Sequence, residues 1–317
     1  MEGDRLGIDV GGTKILYGLL DSECNVKARM RTQMPKDVTP EQLTDKIDTE
    51  ARSFLQENGV DPSQLRGIGI GMPSYVDFER GIVVSSGSID RIQNYPARDL
   101  FRERFPGVEV LVDNDTNLAA LAEHRMGAGR GSRHMVYTAL STGIGSGFII
   151  NGELFRGSYG GAGESGHMLV TPGEGVMCGC GNKGCIMSYA SGVMIMKHVR
   201  RAIESGEPSV MREMTQDLEE LNSHHLAKAW AMGDALAVKM MDQMTHYIAV
   251  YIYNLFMSFN IGCYVCGGGL TNMGEPFMEE IRRKVAGFNH QSGQNIDIRV
   301  AQLGGDNGII GAAMLFE

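Results

Sequence analysis

Gly7-Ile8-Asp9-Val10-Gly11-Gly12-Thr13-Lys14 is the stretch from which the rest of this 317-residue chain can be read. Apolar residues from Leu6 to Val10 run into paired glycines, Ile15 to Leu20 resume, Asp21-Ser22 turns, and Val26 begins a third apolar run. The pattern is strand, glycine turn, strand, polar turn, strand. It recurs about 130 residues further on. There Met135 to Leu140 lead into Gly143-Ile144-Gly145, Phe148 to Ile150 continue, Asn151-Gly152 turns, and Leu154-Phe155 follow. Asn-Gly favours a tight hairpin because both central residues of that turn need positive φ. Two units of one plan imply a duplicated architecture.

Helices and strands alternate around these units. Thr39-Pro40 can cap and open a helix whose stripe is Leu43, Ile47, Ala51 and Leu55, closed by Gly59. Leu65 to Ile70 and Val108 to Val112 read as strands, Leu118 to Glu123 as a helix. A long helix is expected from Asp234 to about Met257, with Tyr247 and Tyr251 on its largely apolar face. A strand at Cys263 to Cys266 and a short final helix in Asn307 to Phe316 complete the α/β pattern. The length favours two lobes. The expected division is 1–115, plus a C-terminal helix at about 304–317, as a smaller lobe, and 116–303 as a larger one.

Composition narrows the function. The chain carries 29 Lys and Arg against 38 Asp and Glu, a formal charge of −9, which argues against an extended nucleic-acid footprint. The N-terminus lacks a basic stretch leading into an apolar one, so no signal peptide is expected. The longest strongly apolar stretch, Tyr247 to Met257, falls well short of the ~20 residues of a membrane span. A soluble, cytoplasmic protein in a reducing compartment is expected, with no membrane partner. Glycine, at 43 residues, is nearly twice its usual share of ~7% and implies many separate backbone turns.

Several groups can carry chemistry. At the Gly11-Gly12 bend, backbone N–H groups can turn toward an anion, Thr13 and Lys14 add side-chain donors, and Asp9 can orient a magnesium ion through its waters. The same residues also make a bare hairpin. Ser141-Thr142-Gly143 is the matching turn of the second unit. Gly267-Gly268-Gly269 lets a nucleotide approach a strand end closely, although glycine there is often only a turn. Asp113-Asn114-Asp115 crowds polar groups at a strand's carboxyl end, where α/β proteins bind ligands. They can cap a helix, and Asp115 can also take the proton from a hydroxyl attacking a γ-phosphoryl group. His167, Cys178, Cys180 and Cys185 supply an imidazole and three thiolates, the donor set of a closed, structural tetrahedral zinc site. Cys263 and Cys266, an odd number of positions apart in a strand, point to opposite faces and read as buried filler.

Taken together, G-I-D-V-G-G-T-K, D-N-D-T-N at Asp113–Asn117, S-T-G-I-G-S-G at Ser141–Gly147, G-A-G-E-S-G-H at Gly161–His167, C-G-C-G-N-K-G-C at Cys178–Cys185 and the glycine run resemble the ROK family of repressors and sugar kinases, end to end. The resemblance implies a two-lobed ribonuclease H-like (actin-like ATPase) fold, with central mixed sheets flanked by helices. It implies an ATP-dependent sugar kinase with Asp115 as base, and a homodimer or larger even homo-oligomer. Asn114, Glu164 and the His167 loop would contact the sugar. Asp9, Gly11, Gly12, Thr13, Lys14, Thr142 and Gly143 would handle magnesium and the phosphates of ATP, with Gly268 and Gly269 near the nucleotide.

Two departures touch sugar recognition. The family's zinc motif normally ends C-x-E, with the Glu on the sugar near its anomeric end, whereas here Met187 stands in that place. A thioether cannot replace a carboxylate that accepts hydrogen bonds from hydroxyls. In the first-lobe loop, Gly87-Ser88 stands where many members show Pro-Asn. A sugar other than glucose is expected, one modified or lacking a hydroxyl at that end. Repressor members carry a winged helix-turn-helix before the phosphate motif; with that motif starting at Gly7 and a negative net charge, a repressor is not expected. A non-catalytic sugar or nucleotide sensor, with Met187 marking a decayed site, is the alternative. Gly304-Gly305-Asp306 superficially resembles a ribokinase-type anion hole, but it suits the start of the last helix better.

Overall fold

The computed structural model describes residues 3–87, 89, 91–290 and 293–317. The opening stretch forms the expected meander of β1 (Arg5–Val10), β2 (Lys14–Leu20) and β3 (Val26–Gln33). Thr39 caps α1 (Pro40–Glu57) in a reciprocal box with Gln42, and Leu43, Ile47, Ala51 and Leu55 are fully buried along the predicted stripe. Next come β4 (Gly67–Met72), β5 (Ser74–Asp77), β6 (Ile82–Ser86), β7 (Gln93–Tyr95), α2 (Ala97–Arg104), β8 (Val110–Asn114) and α3 (Asp115–Arg125). Both β4 and β8 begin two residues later than the sequence pattern implies. Leu65 and Val108 are buried but close preceding turns, through backbone bonds to Pro62 and Phe105.

The second meander is β9 (Met135–Leu140), β10 (Ile144–Ile150) and β11 (Glu153–Phe155), and Asn151 and Gly152 adopt φ of 57° and 84° as the hairpin turn requires. Four helices follow: α4 (Met187–Ala190), α5 (Gly192–Glu204), α6 (Ser223–Ala231) and α7 (Ala235–Phe259), the last capped by Asp234. The chain ends with β12 (Cys263–Gly267), α8 (Glu275–Ala286), β13 (Asp297–Val300) and α9 (Asn307–Ala313). The two main sheets repeat one order, β3-β2-β1-β4-β8 and β11-β10-β9-β12-β13, and a small sheet β5-β6-β7 stands apart. In each, an antiparallel meander is extended by parallel strands.

The chain divides into two compact units, one comprising Met1–Arg133, Gly147–Gly163 and Gln302–Glu317, the other His134–Ser146 and Glu164–Ala301. In the first, α1 and α2 cover one face of the sheet, with Ile8, Ile47, Ile70 and Phe101 in their shared core. On the other face α3 and α9 join Leu121, Ile309 and Ala313. Here α9 lies almost on the strands. A Cβ at Gly7 would fall 2.0 Å from the Ile309 carbonyl oxygen, and one at Gly69 1.9 Å from that of Ala312. The glycine excess therefore does not serve turns alone, because these strand glycines set a helix-to-sheet distance. The buried Glu123 of α3 accepts the backbone N–H groups of Ala128, Gln302 and Leu303, which ties the returning C-terminal segment into this unit.

Candidate active site

In the first unit the parallel register aligns Asp9 of β1 with Gly71 of β4, and Gly71 with Asp113 of β8. A Cβ at Gly71 would lie 3.7 Å from the Asp115 Cα, so the bare glycine separates the carboxyl ends that carry Asp9 and Asp115. Strand ends that converge in this way make the crevice where α/β sheets place ligands. Asp9 also packs against α9, where a Cβ at Gly308 would fall 2.6 Å from its Cγ. Burial pushes the Asp9 carboxyl up to about 6, opposed by the nearby Lys14 ammonium.

The β1–β2 bend is held by the Gly11 N–H donating to the Lys14 carbonyl at 2.8 Å, which leaves Gly12 and Thr13 exposed at its tip. Asn114 caps α3, its Oδ1 accepting the N–H groups of Thr116 at 2.9 Å and Asn117 at 3.1 Å. Asp115 opens that helix half-buried, its Oδ1 accepting from the Thr116 N–H at 2.7 Å and hydroxyl at 3.2 Å. Asn114 is therefore the helix cap, and Asp115 is the first helical residue beyond it. Ser88 lies outside the described residues.

In the second unit Ser141, Thr142 and Gly143 form the turn before β10, closed by the Ser141 N–H on the Gly143 carbonyl at 3.0 Å. The start of α5 docks on it, with the Gly192 N–H donating to Ser141 O at 2.8 Å. Gly268, at φ 91°, abuts the same place, since a Cβ there would lie 2.5 Å from Leu140 O, and one at Gly269 would be 3.8 Å from Ser141 Oγ. Thr142, Gly143, Gly268 and Gly269 are thus one neighbourhood. Exposed Glu164 precedes a single tight turn, Ser165–His167. The Met187 methyl reaches between the two groups: it lies 3.7 Å from a Cβ built on Gly143 and 2.6 Å from one on Gly166.

The four expected metal ligands converge. One donor atom from each of His167, Cys178, Cys180 and Cys185 can be chosen so that all lie within 4.8 Å of one another. Cys178 Sγ is 3.5 Å from His167 Nδ1, and Cys180 Sγ is 3.6 Å from Cys185 Sγ. Gly184, at φ 88°, lets the loop close on itself, where a Cβ would sit 1.9 Å from Thr171 O. Burial pushes the Cys185 thiol up to about 12, while the Asn182 backbone N–H holds Cys180 down to about 6. Three thiolates coexist there only beside a cation, so the donor set fits a zinc ion.

Sequence reasoning missed two groups. Arg156 pairs with Asp113 at 2.7 Å, a contact between positions far apart in the chain. Tyr251 reads as one more apolar residue of a long helix, yet its phenol joins Thr138, Ser146 and Ser165 in a buried hydroxyl cluster. Nothing local in either segment marks these contacts.

The family model for the ROK family matches residues 5–317. A glucokinase of Streptomyces coelicolor is 32% identical over 320 residues, covering 99% of this chain and 97% of that one. An N-acetyl-D-glucosamine kinase of Photobacterium profundum is 30% identical, covering 98% of each. The crystal structure of a ROK family glucokinase from Streptomyces griseus, in complex with glucose and AMPPNP, superposes with a TM-score of 0.83 at 31% identity, covering 99% of each chain.

Proposed function

The chain belongs to the ROK family, and from that premise we propose that it is an ATP-dependent kinase that transfers the γ-phosphate to a hydroxyl of a hexose or related sugar, with Asp115 as the base. The observation that carries this reading is the placement of Asp9 and Asp115 on either side of Gly71, at the carboxyl ends of β1 and β8. The acceptor hydroxyl attacks the γ-phosphoryl group, its proton passes to the Asp115 carboxylate, and ADP leaves. Gly11, Gly12, Thr13, Lys14, Thr142 and Gly143 supply backbone and side-chain donors for the phosphates. Gly268 and Gly269 leave room for the nucleoside. Asp9 would hold a magnesium ion through its waters, which when bound neutralises charge on the phosphates.

Asn114, Glu164, the His167 loop and Met187 would contact the sugar. His167, Cys178, Cys180 and Cys185 would hold a zinc ion, which when bound would fix the loop behind Glu164. Met187 presents a methyl group and no hydrogen-bond acceptor of strength, so the preferred sugar is modified, or lacks a hydroxyl, at the end that meets it. The same residue favours a second reading, a sensor that binds sugar without turnover. We place the protein in the cytoplasm as a homodimer or larger even assembly, which a light-scattering mass measurement checks. Among the described residues no helix is long and apolar enough to cross a membrane.

ADP release measured across hexoses, N-acetylhexosamines and deoxyhexoses tests the proposal, with Asp115→Asn as control. Sugar-dependent turnover abolished by the substitution supports it. Turnover that survives removes Asp115 from the base role, sugar binding without turnover favours the sensor, and a clear preference for glucose sinks the argument from Met187.

A further inference from the structure

No step above uses Asp113, although it stands one residue before Asn114 and two before Asp115. Its side chain is 1% exposed and its two oxygens are divided between two tasks. Oδ1 accepts the Asn114 backbone N–H at 2.7 Å and the Asn117 Nδ2 at 2.9 Å. Oδ2 accepts Nε of Arg156 at 2.8 Å and its terminal nitrogen at 2.7 Å. The guanidinium in turn lies 3.7 Å from the centre of the Phe78 ring, in the turn after β5. Residues 156–163 are laid down on β5 as well. Tyr75 donates its hydroxyl to the Tyr159 carbonyl, and a Cβ at Gly161 would meet the Tyr75 ring at 2.1 Å.

This is a chain of fixed contacts: Phe78 holds Arg156, Arg156 holds Asp113, and Asp113 holds Asn114. Asn114 is the residue whose own side chain caps the first turn of α3, where Asp115 sits. We propose that Arg156 is a positioning residue for phosphoryl transfer, which sets the Asn114–Asp115 corner through Asp113. The proposal rests on Asp115 being the base. Without the guanidinium, Asp113 is a buried charge with no cation beside it. The carboxylate must then turn or draw in water, and it releases the Asn114 N–H and the Asn117 amide, whose Oδ1 already lacks a partner. A shift of the corner by a fraction of a bond length moves a reacting oxygen off line.

The test compares native protein, Arg156→Ala, Arg156→Lys and the double variant Arg156→Ala/Asp113→Asn by steady-state kinetics and thermal melting. Arg156→Ala should lose about 10²-fold in kcat, with sugar KM far less affected. Arg156→Lys keeps the charge but not the two-pronged contact, so it should keep its melting temperature and still lose kcat. Millimolar guanidinium should restore part of the Arg156→Ala activity. The double variant removes the stranded charge, so its melting temperature should recover while its kcat does not. Recovery of both together would make the pair a stabilising contact only and overturn the proposal, as would native kcat in folded Arg156→Lys. Native protein with no turnover on any sugar, or full turnover by Asp115→Asn, would overturn the reading of the site and this proposal with it. Native turnover, lost in Asp115→Asn but unchanged in Arg156→Ala, overturns this proposal alone.

Discussion

Replacing Tyr251 with Phe removes one buried oxygen and little else. The Tyr251 hydroxyl bonds Ser146 Oγ, Ser165 Oγ at 3.1 Å and Thr138 Oγ1 at 3.3 Å, within a residue that is fully buried. Burial raises its pKa above the ordinary tyrosine value, so the phenol keeps its proton and can donate at any working pH. After the substitution the three smaller hydroxyls still bond one another, Ser165 to Ser146 at 2.9 Å and Thr138 to Ser146 at 3.3 Å. None is left wholly unpaired. The loss is then two good hydrogen bonds at about 1 kcal/mol each, near 2 kcal/mol in all. For a chain of 317 residues, whose unfolding entropy is about 0.67 kcal/mol/K, that lowers the melting temperature by about 3 °C. Ser165 lies between Glu164 and the metal-loop histidine, so the loop that presents Glu164 should loosen as well. If about 1 kcal/mol of that loss reaches the sugar contact, sugar KM rises about fivefold while nucleotide KM is unchanged. Calorimetry and initial rates on purified Tyr251→Phe measure both. A variant that melts within about 1 °C of the native protein refutes the energetic argument. Equal rises in sugar and nucleotide KM refute the assignment of the network to the Glu164 loop.

Three further outcomes are expected. Because the Asp9 carboxyl titrates near 6, above its unfolded value of 3.8, the folded protein binds the extra proton more tightly between those values. The stability it contributes is complete below about 3.8 and is lost as the pH rises through about 6. Activity should run the other way, falling below pH 6 because magnesium needs the ionised form, and the acid limb should move to lower pH as magnesium is raised; a limb indifferent to magnesium refutes this. Metal analysis should find one zinc for this set of four ligands, Cys178→Ser should lose it, and chelation should raise sugar KM; retention of full zinc by that variant removes Cys178 from the set. Gly69→Ala puts a methyl 1.9 Å from the Ala312 carbonyl oxygen, so α9 must lift from the sheet at about 3 kcal/mol, read by urea unfolding. An unchanged midpoint would show that α9 yields without strain.

The sequence by itself determined what depends on neighbours along the chain. Both meanders, the Asn151-Gly152 turn, the Thr39 cap of α1 and the ligand-bearing loop follow from turn chemistry, side-chain period and short spacing. Those forces act within a few residues, so a string of residues displays them. Asp115 was legible for the same reason, as part of a polar run at a strand end. Only the tertiary structure decided the contacts that close over long loops. It grouped α3 and residues 147–163 with the first unit, where Gly147 packs on Ala120 of α3. It brought Arg156 to Asp113 across 43 positions and Tyr251 to Ser146 across 105. It also laid α9 on the strand glycines, a use of glycine that composition alone assigned to turns. Each of these is a polar or close-packed contact whose partner is chosen by the path of the backbone, and no local pattern records that choice.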